Sequence, residues 1–136
     1  GNSPGTLTID GDYSQSATGN LLIEIAGSAA GDFDILDISG VANLGGTIEV
    51  SLLGNPAISI NDSFDVLIAS EILGAFDNGT VNAGGASFAV TSIAGLDSDF
   101  VRLTATSAVP IPGALWMLIS GILVLASNRK HRHNPS

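Results

Sequence analysis

The sequence predicts an all-β body, a β-solenoid or a β-sandwich of short strands, followed by one C-terminal hydrophobic helix. Three observations predict it. Short apolar runs alternate with clusters of Gly, Asn, Asp and Ser; no helical periodicity of useful length occurs before residue 109; and a single apolar segment near the end lies between prolines and basic residues. The 136 residues suit one small domain, residues 1–108, and a tail, residues 109–136.

Strands are expected at residues 6–9, 21–26, 33–39, 47–53, 63–69, 87–93 and 100–106. The clearest alternation places Ile48, Val50 and Leu52 on one face and Thr47, Glu49 and Ser51 on the other. Phe88 with Val90, and Val101 with Leu103 and Ala105, repeat the pattern. Each strand must therefore bury one face against its neighbours. Leu7, Leu22, Leu36 and Val50 follow one another at nearly equal steps along the chain. Regular steps with Gly-Asp or Gly-Asn corners suggest stacked rungs of a solenoid. The step is short for such a rung, and a sandwich of short strands would also produce it. Beyond residue 54 the regularity fades. The connections at 55–62 and 72–79, the second ending in Asn78-Gly79, are expected to be hairpins that close the end of the stack.

All 13 acidic residues precede Phe100, and Arg102 is the only basic residue before the tail, so residues 1–108 carry a formal charge of −12. Such a body is expected to avoid nucleic acid and anionic lipid. Its acids are scattered singly among apolar residues, which favours a folded surface over a disordered acidic stretch. The absence of cysteine leaves no disulfide, thiol nucleophile or thiolate metal site.

The tail reads as an address. Ile111 to Ala126 contains Ser120 as its only polar side chain, and as a helix it would reach about 24 Å, marginal against a hydrocarbon core of about 30 Å. Pro110 and Pro112 keep a regular helix from extending upstream. The membrane segment is therefore expected at Ala114, Leu115, Trp116, Met117, Leu118, Ile119, Ile122, Leu123, Val124 and Leu125. Arg129, Lys130 and Arg132 follow and favour a cytoplasmic C-terminus, with the body on the far side.

Val109-Pro110-Ile111-Pro112-Gly113-Ala114-Leu115-Trp116, the apolar run and Arg129-Lys130-His131-Arg132 together resemble the PEP-CTERM family of sorting tails, in its VPLPA-like variants. The resemblance implies recognition by exosortase, a membrane-embedded cysteine peptidase, with cleavage near Val109, Pro110, Ile111 and Pro112. It further implies a Gram-negative source that makes exopolysaccharide, and an exported mature protein. Ile111 stands where the eponymous pattern has Glu, which bears on the exosortase subtype. Gly1-Asn2-Ser3-Pro4-Gly5 has neither a basic start nor an apolar stretch, so the chain is expected to be the C-terminal fragment of a longer precursor.

The runs Gly19-Asn20-Leu21-Leu22-Ile23-Glu24-Ile25, Asp34-Ile35-Leu36-Asp37-Ile38-Ser39-Gly40 and Leu44-Gly45-Gly46-Thr47-Ile48-Glu49-Val50, together with Gly11-Asp12-Tyr13-Ser14-Gln15-Ser16, resemble the C-terminal part of autotransporter-type and adhesin-like passengers. That resemblance implies a right-handed parallel β-helix end with a cap. The outer-membrane barrel of true autotransporters is replaced here by the sorting tail, so the secretion route is not implied.

Catalytic chemistry finds little purchase. His131 and His133 lie in the basic tail, where Arg and Lys repel a cation, and the body has no histidine for a Ser-His-Asp arrangement. Asp32 and Asp34 bracket Phe33, and Asp97 and Asp99 bracket Ser98; such pairs would suit glycoside hydrolysis, but Asp beside Gly or Ser is the ordinary composition of a turn. No cofactor is expected. A structural calcium is the best metal candidate, with ligands from Gly31-Asp32-Phe33-Asp34, Asn61-Asp62-Ser63-Phe64-Asp65 or Asp97-Ser98-Asp99, and again turn chemistry is the plainer reading. Asn61-Asp62-Ser63 and Asn78-Gly79-Thr80 fit the N-glycosylation sequon, a weak signal given the bacterial source that the tail's resemblance implies.

The expected function is that of a non-enzymatic exported surface or extracellular-matrix protein, adhesin-like or structural. Its expected partners are exosortase, the membrane at least in transit, and exopolysaccharide or further copies of itself. The alternatives are a membrane-anchored adhesin that keeps its tail, and the scaffold or cap of a larger exported enzyme.

Overall fold

The computed structural model describes residues 3–108, in which all regular structure is β. In chain order the strands are β1 Thr6–Ile9, β2 Tyr13–Ser14, β3 Asn20–Ile25, β4 Ile35–Ile38, β5 Val41–Leu44, β6 Thr47–Leu52, β7 Ser63–Ala69, β8 Glu71–Gly74, β9 Thr80–Ala83, β10 Ala86–Ala94 and β11 Asp99–Ser107. The seven strands expected from alternation are β1, β3, β4, β6, β7, β10 and β11, with β1 and β7 matching end to end. Four strands escape the pattern. They are β2, β5, β8 and β9, of four residues or fewer, with too few side chains for a period of two to rise above the turn residues around them.

Three sheets result: β1-β4-β7-β11-β10-β9, β2-β5-β8, and β3-β6. The chain visits them in rotation. β1, β2 and β3 form a first turn, and β4, β5 and β6 lie beside them in parallel. β7 and β8 then add in parallel to β4 and β5. Each strand of the stack thus lies beside the one three strands later in the chain. Thr6 is in register with Ile35, Tyr13 with Ala42 and Asn20 with Thr47. Leu36 is in register with Leu67 and Val41 with Glu71. The repeat expected from Leu7, Leu22, Leu36 and Val50 is therefore corrected to about twice its length. Leu7 pairs with Leu36, the second position on in that series, while Leu22 lies on another sheet, in register with Glu49. A full turn must cross three sheets to enclose its side chains, so successive positions of the sequence repeat lie on different sheets.

After β8 the chain reverses. β9, β10 and β11 pair antiparallel, and β11 also pairs antiparallel with β7. Gly84 and Gly85 make the β9–β10 turn, both with positive φ (55° and 89°), the conformation a tight hairpin needs and glycine adopts without steric cost. The hairpins expected at 55–62 and 72–79 are not formed. Residues 55–62 carry the chain from β6 to β7, which belong to different sheets. Most of β8 falls within 72–79, and Asn78 is held by a different strand: its side chain takes both backbone groups of Ile48.

Burial follows the alternation except on β7, where a register shift against β11 leaves the adjacent Val66 and Leu67 both buried. Ile23, Ile25, Leu36, Ile38, Ile48 and Val50 point inward from the first two turns, and Phe64, Leu67, Phe88, Val101 and Leu103 continue the core into the antiparallel part. Phe64 is fully buried and meets Phe33 at 5.3 Å and Phe88 at 5.9 Å, both edge to face. Burying each such ring is worth about 1.5–3 kcal/mol, and each pair adds about 0.5–1.5 kcal/mol.

The corners between sheets use side chains to continue the hydrogen bonding between turns. Val41 N–H donates to Asp12 Oδ1 and Gly11 N–H to Ser39 Oγ, each at 2.8 Å. Gln15 is the buried polar side chain among the described residues. Its Nε2 donates to the carbonyls of Gly45 (2.7 Å) and Thr47 (3.0 Å), and its Oε1 accepts from Tyr13 Oη at 2.7 Å. Gly46 turns the next corner with φ of 66°. A β-carbon there would strike the Gly19 carbonyl.

Candidate functional site

The tail residues singled out by sequence, Val109, Pro110, Ile111 and Pro112, the apolar residues Ala114 to Leu125, and Arg129, Lys130 and Arg132, lie outside the described residues. Among the described residues no helix is long and apolar enough to cross a membrane.

The carboxylates considered for catalysis or calcium are distributed as follows. Asp34 accepts the Gly5 N–H on Oδ1 and the Glu24 N–H on Oδ2, both at 2.8 Å. Asp62 Oδ2 accepts from Ser59 N–H at 2.9 Å, and Asp99 Oδ2 from Ile72 N–H at 3.0 Å. These three acids hold loops and strand ends through backbone groups, as short acidic side chains do in turns. No group of three His, Cys, Asp or Glu with metal-binding proximity occurs among the described residues.

Asp65 pairs with Arg102, the only basic residue of the body. Arg102 Nε reaches Oδ1 at 2.7 Å and Nη2 reaches Oδ2 at 3.1 Å, a two-pronged contact between neighbouring strands β11 and β7. The hydrogen bond to Asp65, and then its charge, raise the Arg102 pKa further above its ordinary value. The pair sits on the outer face, with about a third or more of each side chain exposed, so it aligns two strands and engages the one cationic side chain of the described residues.

The feature that sequence reasoning missed is the open end of the stack. β1, β2 and β3 are each the last strand of their sheet on that side. Leu7, in register with buried Leu36, is 64% exposed, and Leu22 is 49% exposed. A cleft of about 200 Å³ opens there, lined by Leu7, Leu21, Leu22, Ile23, Ile35 and Leu36, with Gly5 and Asp34 completing its wall. Residues 32–34 return antiparallel along the second half of β3: Ala26 N–H donates to Asp32 O at 2.7 Å and Asp34 N–H to Glu24 O at 2.9 Å. The free edge is thus β1, β2 and the first half of β3. A search of the sequence at the step that separates Leu7 from Leu36 would have found Leu7 as the equivalent position of the first described turn.

At the opposite end β11 covers β7 and Asn78 meets the edge of β6 at Ile48, while β8 is the last strand of its sheet, its Ile72 N–H taken by Asp99 Oδ2.

No family model matches this chain, and no curated protein is similar to it at a significant level.

Proposed function

We propose that this chain is the body and sorting tail of an exported, non-enzymatic surface or extracellular-matrix protein, in which residues 3–108 form the capped end of a parallel β-solenoid. The observation that carries the export reading is the order of features in the tail: Val109-Pro110-Ile111-Pro112, then an apolar stretch of membrane-segment composition, then Arg129, Lys130 and Arg132. Exosortase is the peptidase that such a tail calls for, with the inner membrane as its place of action and the cell surface or matrix as the destination.

The solenoid reading is supported by parallel pairing of each strand with the one three strands later, across three sheets, followed by antiparallel hairpins. Its right-handedness follows from the resemblance to passenger β-helices. The acidic charge of the body disfavours nucleic acid as a partner. At the candidate turns Asp34, Asp62 and Asp99 are engaged with backbone and Asp65 with Arg102, which suits a structural or adhesive role better than a hydrolytic one.

The test is intact and C-terminal-peptide mass spectrometry of the protein from its native host, comparing wild type with a Pro110→Ala, Pro112→Ala variant. A wild-type terminus near residue 109 that reverts to Ser136 in the variant is the expected result. A Ser136 terminus in both, recovered from washed membranes, overturns processing and leaves a membrane-anchored adhesin.

A further inference from the structure

The free end of the first turn has the properties of an inter-turn interface that lacks its upper half. Gly5 and Ile9 carbonyls accept from Ile35 and Ser39 of the next turn, at 3.1 and 3.0 Å. Alternate residues Thr6 and Thr8 therefore direct their backbone N–H and C=O groups away from β4, where among the described residues no strand pairs with them. Apart from its shortness, the strand carries no feature that would turn away a further strand. β1 is Thr-Leu-Thr-Ile, without lysine, proline or bulge. Leu7 meanwhile presents to solvent a side chain that its register partner Leu36 keeps buried at 4% exposure.

We propose that this end receives a further parallel turn of the same three-strand pattern, supplied by polypeptide leading into Ser3, with apolar side chains seated over Leu7 and in the cleft beside Leu21 and Ile23. The inference rests on the solenoid reading above, not on the sorting tail. The ladders between turns decide the occupant. β1, β2 and β3 each pair in parallel with the strand one full turn below. A chain continuing into β1 through Ser3–Gly5 would arrive over β1 in the same direction. A second copy related by a two-fold axis would bring β1 against β1 antiparallel, unlike any pairing between the first two turns. The incoming turn pairs with β1 and β2 fully and with β3 only as far as Leu22, because Asp34 already takes the Glu24 edge.

The test compares two proteins in detergent micelles: the present 136-residue chain, and one carrying a copy of residues 34–62 spliced ahead of Ser3 as an added turn. Amide hydrogen exchange at Thr6 and Thr8 is followed in both, with sedimentation to fix the oligomeric state. The expected result is fast exchange at both amides in a monomeric present chain, and exchange slowed about 100-fold or more in the extended one. Leu7→Asp then removes that protection from the extended chain while leaving the exchange of core amides in β7 and β11 unchanged in the present chain. Unslowed exchange in an extended chain whose β7 and β11 amides remain protected overturns the proposal. So does a present chain that is already dimeric and protected at Thr6 and Thr8, which would make the occupant a second copy. Neither outcome depends on whether the tail is cleaved.

Discussion

Asn78 ends the third sheet by standing in for a strand. Its Oδ1 accepts the Ile48 N–H at 3.0 Å and its Nδ2 donates to the Ile48 carbonyl at 2.8 Å, so at Ile48 one amide side chain meets both backbone groups that a third strand beside β6 would have met. Only an amide offers a donor and an acceptor in this arrangement. The same engagement takes the Asn78-Gly79-Thr80 sequon out of consideration in the folded protein.

Replacing Asn78 by alanine is predicted to lower the unfolding free energy by about 1–3 kcal/mol, the cost of leaving a partly buried backbone pair unmet. Asn78→Asp keeps an acceptor, loses the donor and should fall in the same range. Urea denaturation of the three proteins checks this, and an alanine variant of unchanged stability would show that water satisfies Ile48 equally well.

Gln15 is the buried amide that ties the first turn to Gly45 and Thr47. Gln15→Leu should cost about 1–3 kcal/mol by leaving two carbonyls and the Tyr13 hydroxyl without their partner. Gln15→Glu should cost more at pH 7, since a carboxylate faces two carbonyl oxygens, and the difference should narrow as the pH falls towards about 4 and the side chain is protonated. Thermal denaturation across that pH range separates the two variants.

Phe64 joins the parallel and antiparallel parts of the core through Phe33 and Phe88. Phe64→Ala is predicted to cost about 3–5 kcal/mol, combining lost burial with the cavity left behind. Phe64→Leu should cost visibly less because it refills most of the space. A Phe64→Ala protein with wild-type denaturation would contradict the assignment of this ring to the centre of the core.

Tyr13 is the single tyrosine of the chain, and burial raises its pKa above the ordinary 10.0. The neutral phenol is favoured in the folded state, so stability is unaffected below about pH 10 and falls as the pH rises beyond it. There the unfolded chain ionises first, and the loss stops growing once the folded tyrosine ionises too. Ultraviolet absorbance titration of the folded protein should give a midpoint above that of the denatured protein. Coincident midpoints would remove the effect.

The strongest strands are legible in the sequence because a period of two needs only a short run with one buried face. Ile48, Val50 and Leu52 on β6 and Val101, Leu103 and Ala105 on β11 show it plainly. The short strands are not legible. Val41 and Leu44 sit between glycines, and only contact with β2 and β8 makes their segment a strand. The acidic pairs have the local pattern of turn residues or ligands. Asp34 and Asp99 are drawn instead to the backbone of Gly5, Glu24 and Ile72, far along the chain, which no local pattern records.

The sequence by itself determined that the body is all-β, that it is acidic and free of cysteine, and which side chains of its longer strands face inward, because alternation and charge are local properties of the chain. Tertiary structure alone decided which strands lie together. It paired Leu7 with Leu36 and passed over Leu22, set Asn78 against Ile48 in place of a hairpin turn, and left Leu7 exposed at an open edge. Pairing between distant strands depends on how much chain is needed to travel around a shared core. That length is set by the volume of the side chains being enclosed, and no window of neighbouring residues contains it.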